Sequence, residues 1–151
     1  MPRAPFQVLV IPYRRTGEGL RFALLHRADA DRWQWVAGGG EDGESPEDAA
    51  RREVREETGI ASASSLLRLD SIASIPVECF AEREHWDPAM HVIPEYSFAV
   101  DTGESEIRLC SEHRCVEWLD YDAATARVAW DSNRTALWEL RRRLERGETD
   151  R

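Results

Sequence analysis

Apolar positions along this chain fall into short β-type runs first and helical spacing last. Residues 6–13 (FQVLVIPY) are apolar and β-branched, which predicts a buried strand. Residues 14–19 (RRTGEG) read as a turn and 20–26 (LRFALLH) as a second strand, so the two predict a hairpin. A polar loop over 28–32 leads to a short strand at Trp33–Val36, followed by a glycine-rich loop, AGGGEDGE. The next element has the fullest set of end signals. Ser45 suits an N-cap, Pro46 the first helical position, Asp48 the acid of a capping box and Gly59 the left-handed stop, so a helix is predicted over 46–58. Strands are expected at 66–78, with Pro76 marking an edge or a bulge, at 91–100 and at 114–119. A loop carrying Phe80 and Trp86 spans 79–90, and a turn spans 101–106. Two helices follow, at about 121–129 and 133–146, the second capped by Asp131 or Ser132. Strands with helices set apart in the middle and at the end imply an α/β or α+β sandwich.

Composition adds exclusions. The chain has 151 residues, 42% hydrophobic and 32% charged, and no repeat or linker divides it, so one domain over 1–151 is expected. No apolar run nears the roughly 18–20 residues of a membrane span, and the N-terminal apolar stretch reads as a strand rather than a signal peptide. The net charge of −9 argues against a nucleic-acid or anionic-membrane binder, which needs a basic face. All 20 basic residues are Arg, which reads first as codon usage, although Arg also grips phosphate through paired hydrogen bonds. Cys79, Cys110 and Cys115 lack zinc-site spacing and read as unpaired thiols of a reducing cytoplasm.

Charge density singles out one segment. From Glu41 to Glu57, 8 of 17 residues are acidic and 3 are Arg. On the predicted helix Glu53, Glu56 and Glu57 stand at i, i+3 and i+4, which puts their carboxylates on one face. Such a cluster repels itself, and a hard divalent cation resolves the repulsion. An all-oxygen donor set favours Mg²⁺ or Mn²⁺ over zinc. Taken alone, an E/R-rich helix is an ordinary solvated face and a glycine run an ordinary turn.

The joint pattern is more specific. Gly38, five residues, Glu44, seven residues, Arg52-Glu53-Val54, one residue, Glu56-Glu57, one residue, Gly59-Ile60 fills all nine fixed positions of the 23-residue Nudix box. The chain therefore resembles the Nudix hydrolases. That resemblance implies an α/β/α sandwich with a mixed β-sheet, and metal-dependent hydrolysis of a nucleoside diphosphate linked to another group. It implies Glu53, Glu56 and Glu57 as metal ligands. Glu53, or an acid from a later loop, would take the proton from the attacking water. Glu56 shares the catalytic face, Arg52 holds a glutamate from behind, and Glu44 supports from farther out.

The flanks are similar to the dihydroneopterin triphosphate pyrophosphatase branch. The similar segments are Arg3 to Tyr13, Trp33 to Gly38, Ser111 to His113, Glu117 to Asp120, and Trp130 to Arg134. This likeness implies Glu112 as a further metal ligand, with Glu95 its rival. It implies a substrate-binding set of Arg3, His26, Arg27, Trp33, Ala37, Gly38 and Phe80. His26 and Ala37 depart from the branch, which has Arg and Thr there. Trp33, Phe80 and Trp86 are candidates to stack a ring, while Trp35, Trp118 and Trp138 read as core. The expected reaction is Mg²⁺-dependent cleavage of a nucleoside or pterin triphosphate to the monophosphate and pyrophosphate, in the cytoplasm, by a monomer or homodimer. Three readings stand beside it: a sanitising hydrolase of oxidised or non-standard nucleotides, a non-catalytic nucleotide sensor, and an acidic protein-binding scaffold without metal affinity.

Overall fold

The alternation of Val8 and Val10 with Leu9, Ile11 and Tyr13 organises the whole chain. The first pair packs with Ala49, Ala50 and Val54 on one face of a sheet, and the others pack with Ala136, Leu137 and Leu140 on the opposite face. A strand buried on both sides must be apolar throughout, which is why 6–13 reads as a continuous run. The computed structural model describes residues 2–61 and 65–148. Residues 1 and 149–151, the ends of the expected 1–151 unit, lie outside the described residues, as do 62–64.

The elements are β1 (Arg3–Thr16), β2 (Gly19–Arg27), β3 (Trp33–Gln34), β4 (Val36–Glu41), α1 (Pro46–Thr58), β5 (Leu66–Pro76), β6 (Val92–Asp101), β7 (His113–Leu119), α2 (Tyr121–Arg127) and α3 (Asp131–Glu145). Two short 3₁₀ turns, Val77–Cys79 and Ala81–His85, fill the segment after β5. β1 runs parallel to β6 from Gln7↔Glu95 to Tyr13↔Asp101. Along its other edge it pairs antiparallel first with β4 and then, from Tyr13↔Phe22 to Thr16↔Gly19, with β2. β5 lies antiparallel on β6, and both β3 and β7 lie antiparallel on β2. The sheet is thus mixed, with α1 on one face and α2 and α3 on the other, an α/β/α sandwich. No helix among the described residues is long and apolar enough to cross a membrane.

Several local signals act as expected. Ser45 Oγ accepts from Asp48 N at 3.1 Å, and Gly59, at φ +74°, donates its N–H to Arg55 O. All three cysteines are unpaired. Pro76 ends β5, which lies at the end of the strand order and bulges between Arg68 and Ile72.

Other expectations need correction. The glycine run is strand β4, not a loop, because the neighbours use the space its missing side chains leave. A Cβ at Gly38 would strike the Glu53 carboxylate, one at Gly39 the Arg3 guanidinium, and one at Gly40 the Phe6 ring. Neither Asp131 nor Ser132 caps α3. The helix begins at Asp131 with Trp130 in the cap position, and Arg134 ties it to α2 by donating to Thr125 O and Val128 O. Trp138 is 54% exposed rather than core, since Leu137, Leu140 and Leu144 supply the inward stripe. Trp118 is half-buried beneath the Arg14 guanidinium. Trp35 is fully buried, between β3 and β4, and its indole donates to Asn133 O at 3.2 Å.

Candidate active site

The three acids of α1 share a helix face but not an environment. Glu57 is buried, and neither of its carboxylate oxygens has a hydrogen-bond partner. Glu53 is mostly buried against Gly38, whereas the Glu56 side chain is 54% exposed. Burial, then the adjoining Glu53 carboxyl and the charge of Glu112, push the Glu57 pKa far above the carboxylate range. Burial also raises Glu53, while its neighbours Glu57 and Arg52 pull the other way. Among the described residues no three His, Cys, Asp or Glu side chains stand ready-gathered as a metal cage. What does stand there is a buried acid with unused oxygens beside a second acid, and this all-oxygen set suits a hard divalent cation.

Arg52 organises the cluster. Its Nε and Nη2 donate to the two Glu44 oxygens at 2.9 and 3.0 Å. Its Nη1 donates to Glu53 Oε1 at 2.9 Å and Glu56 Oε2 at 3.2 Å, and Nη2 reaches Gly39 O at 2.8 Å. These bonds, led by those to Glu44, raise the guanidinium pKa, and the same contact lowers that of Glu44. Glu44 Oε1 also accepts from Glu41 N at 2.9 Å, so it braces the turn before α1.

Glu112 is exposed on the turn before β7, where its backbone O accepts from Ala28 N, and its charge acts on Glu57 and Arg27. Glu95 lies elsewhere. It is buried on β6, accepts from Gln7 Nε2 at 2.8 Å and lines a cavity of about 470 Å³. His113 is the neighbour that sequence reasoning left unassigned. Its buried Nε2 stands 3.6 Å from Glu57 Oε1, and burial together with Arg27 lowers its pKa.

On the expected substrate side, Arg27 is held by a two-pronged contact to Asp29, at 2.7 and 2.9 Å. Arg3 donates to Gln7 Oε1 at 2.8 Å, lies 4.5 Å over Phe80 and feels the charges of Glu82 and Glu53. Phe80 lines the cavity. His26, Trp33 and Ala37 do not. His26 Nε2 meets Asp31 Oδ1 at 2.7 Å and its ring stacks 4.7 Å from Trp33, which the Arg127 guanidinium approaches at 4.9 Å. Trp33 and Ala37 pack against the core on the α3 side, so the ring surface of Trp33 is already engaged. Trp86 is also engaged, edge-on to Phe80 and donating to Arg3 O at 2.8 Å. The cavity lining also includes Trp130, Asn133 and Gln7. The Trp130-to-Arg134 stretch was the sequence signal for two of them.

The profile of the NUDIX domain matches residues 4–138. The chain belongs to the Nudix hydrolase family. This Nudix chain is 32% identical over 137 residues to the dihydroneopterin triphosphate diphosphatase of Escherichia coli (strain K12), covering 89% of this chain and 91% of that one. Its fold is similar to the solved structure of a candidate NUDIX hydrolase from Listeria monocytogenes, with TM-score 0.88 and 42% identity over 98% of this chain and 99% of that one. It is also similar to the structure of the E. coli dihydroneopterin triphosphate pyrophosphohydrolase, with TM-score 0.73 and 30% identity over 92% and 97%. Membership makes the protein an enzyme that hydrolyses phosphoric anhydrides.

Proposed function

We propose that this Nudix enzyme is a Mg²⁺-dependent pyrophosphohydrolase, with Mn²⁺ as the alternative ion, that cleaves a nucleoside or pterin triphosphate to the monophosphate and pyrophosphate. The observation that carries this reading is the buried Glu57 carboxyl, without a hydrogen-bond partner, beside Glu53 and 3.6 Å from His113 Nε2. The 32% identity to a dihydroneopterin triphosphate diphosphatase supports the substrate class.

Glu53, Glu56 and Glu57 would hold the ion, with Glu112 entering from its exposed turn. When bound, the ion offsets phosphate charge and activates water. Arg52 restrains Glu53 and Glu56 from one guanidinium, so two acids keep their positions without a ligand. Gly38 and Gly39 let Glu53 and Arg3 lie against β4, and Arg3 and Arg27 supply positive charge for the phosphates. Glu53 Oε2, the oxygen Arg52 leaves free, would take the proton of the attacking water.

The test is phosphate release over a panel of nucleoside triphosphates, oxidised nucleotides and dihydroneopterin triphosphate, with inorganic pyrophosphatase added. Turnover with Mg²⁺, none with EDTA, and pyrophosphate as the first product are expected, with ¹⁸O water locating the attacked phosphorus. An oxidised nucleotide outrunning all others in kcat/KM would favour the sanitising reading instead. Tight nucleotide binding without product would favour a sensor.

A further inference from the structure

The cavity beside Glu95 has a construction that phosphate chemistry leaves unexplained. At about 470 Å³ it falls within the span of about 300–1,000 Å³ usual for small-molecule sites. Its walls include Ala73 and Ile75 of β5 and the rings of Phe80 and Trp130. Into this apolar setting come two buried polar side chains, Glu95 at 5% and Asn133 at 3% exposure.

Their polarity is set by a relay. Arg3 has only donors, so Gln7 turns Oε1 toward it, at 2.8 Å, and presents Nε2 to Glu95 Oε2, also at 2.8 Å. Glu95 therefore accepts on that side, and its Oε1 meets no donor among the described residues. Burial raises the Glu95 pKa and the Gln7 bond opposes the rise. Asn133 Oδ1 is buried with no partner, and its Nδ2 has only a long 3.4 Å bond to Ser132 Oγ. Glu95 Oε1 is thus an unspent acceptor at an apolar-walled space that Asn133 also lines. Arg3 touches Gln7 and Phe80 beside this space and feels the charge of Glu53.

We propose that this cavity selects a ring of the 2-amino-4-oxopyrimidine class, shared by guanine and pterins, with the Glu95 carboxylate accepting from the ring N–H and the exocyclic amine. Asn133 also borders the space, and Trp130, half exposed, offers a stacking surface. Adenine turns a ring lone pair toward a carboxylate at the matching position, and hypoxanthine lacks the amine, so both fit less well. The phosphate half of this ligand rests on the pyrophosphohydrolase reading; the ring half does not.

Ring selection is measured without hydrolysis by titrating the whole protein with neopterin, guanosine, inosine and adenosine and following tryptophan fluorescence. Neopterin and guanosine should bind at least about tenfold more tightly than inosine and adenosine, the worth of one charge-assisted hydrogen bond. In Glu95→Gln the preference should collapse to within about threefold. The ratio between ligands on one preparation does not depend on the fraction folded. Equal binding of all four by the wild-type protein would overturn the proposal, as would a preference for adenosine or an unchanged ratio in Glu95→Gln. Absence of triphosphate turnover with the ring preference intact would remove only the pyrophosphohydrolase reading.

Discussion

Arg52 makes five hydrogen bonds, to Glu44, Glu53, Glu56 and Gly39, from a planar fork that a lysine ammonium cannot imitate. Arg52→Lys keeps the charge and loses the simultaneous contacts. Kcat should fall about 10–100-fold while KM changes less than about threefold, because the residue positions acids rather than touching substrate. Steady-state kinetics at saturating Mg²⁺ checks the split, and a rise in KM with unchanged kcat would contradict it. The box spacing made Arg52, Glu44 and the three acids of α1 legible in advance. It did not reveal that Glu57 is buried and Glu56 exposed: the two flank Glu53 about 100° apart around the helix, and which side packs inward is set by the sheet it meets.

β4 and the β5 bulge show how neighbouring elements decide local structure. Gly38→Ala would place a methyl group on the Glu53 carboxylate, so a loss of about 1–3 kcal/mol is expected, with Glu53 displaced and turnover lost. Denaturant titration and a turnover assay read the two effects. At the bulge, Glu139 of α3 accepts from Asp70 N at 2.6 Å and from Ser71 N at 2.8 Å, and Arg143 Nε reaches it at 2.7 Å. Burial tends to raise the Glu139 pKa, but these bonds prevail and lower it below the ordinary 4.5. A depressed acid contributes stability above its unfolded pKa and loses it as pH falls through the folded value. Glu139→Gln should therefore cost about 1–2 kcal/mol near pH 7, and the gap in Tm from wild type should narrow between pH 5 and pH 3. A gap that is constant across that range would refute the assignment. Neither feature could be read along the chain. A glycine run looks the same as loop or as strand, and the strand hydrogen bonds missing at a bulge are supplied by a residue 68 or 69 positions away.

The sheet separates two environments: α1 with its acids on one face, and α3 with the Asn133 end of the cavity on the other. Arg3, packed over Gly39 and bonded to Gln7, feels the charge of Glu53. If the acids hold Mg²⁺, the ion binds the native state only. At about 100 times its Kd it adds about 2.7 kcal/mol, or about 5–10 °C in Tm for a chain of this size. Thermal melts in Mg²⁺ and in EDTA measure that difference. Glu57→Gln should abolish it while melting at or above the wild-type temperature in EDTA, because at neutral pH an acid whose pKa is raised by folding favours the unfolded chain, where it ionises freely, and an amide removes that cost. An undiminished Mg²⁺ effect in that variant would place the ion elsewhere.

Local order and reaction class were written along the chain. The caps at Ser45 and Gly59, the alternation in β1 and the spacing from Gly38 to Ile60 each depend on residues within a few turns or strand positions of one another. Folding had to assign the ring-facing groups. Trp33 was drawn away to His26 and Arg127, Trp138 to solvent, and Trp130, Asn133, Gln7 and Glu95 were gathered from three distant elements and the residue before α3. Whether an aromatic ring or a buried acid meets a ligand depends on which partners reach it first, and those partners come from strand pairing and helix packing that no short stretch of chain encodes.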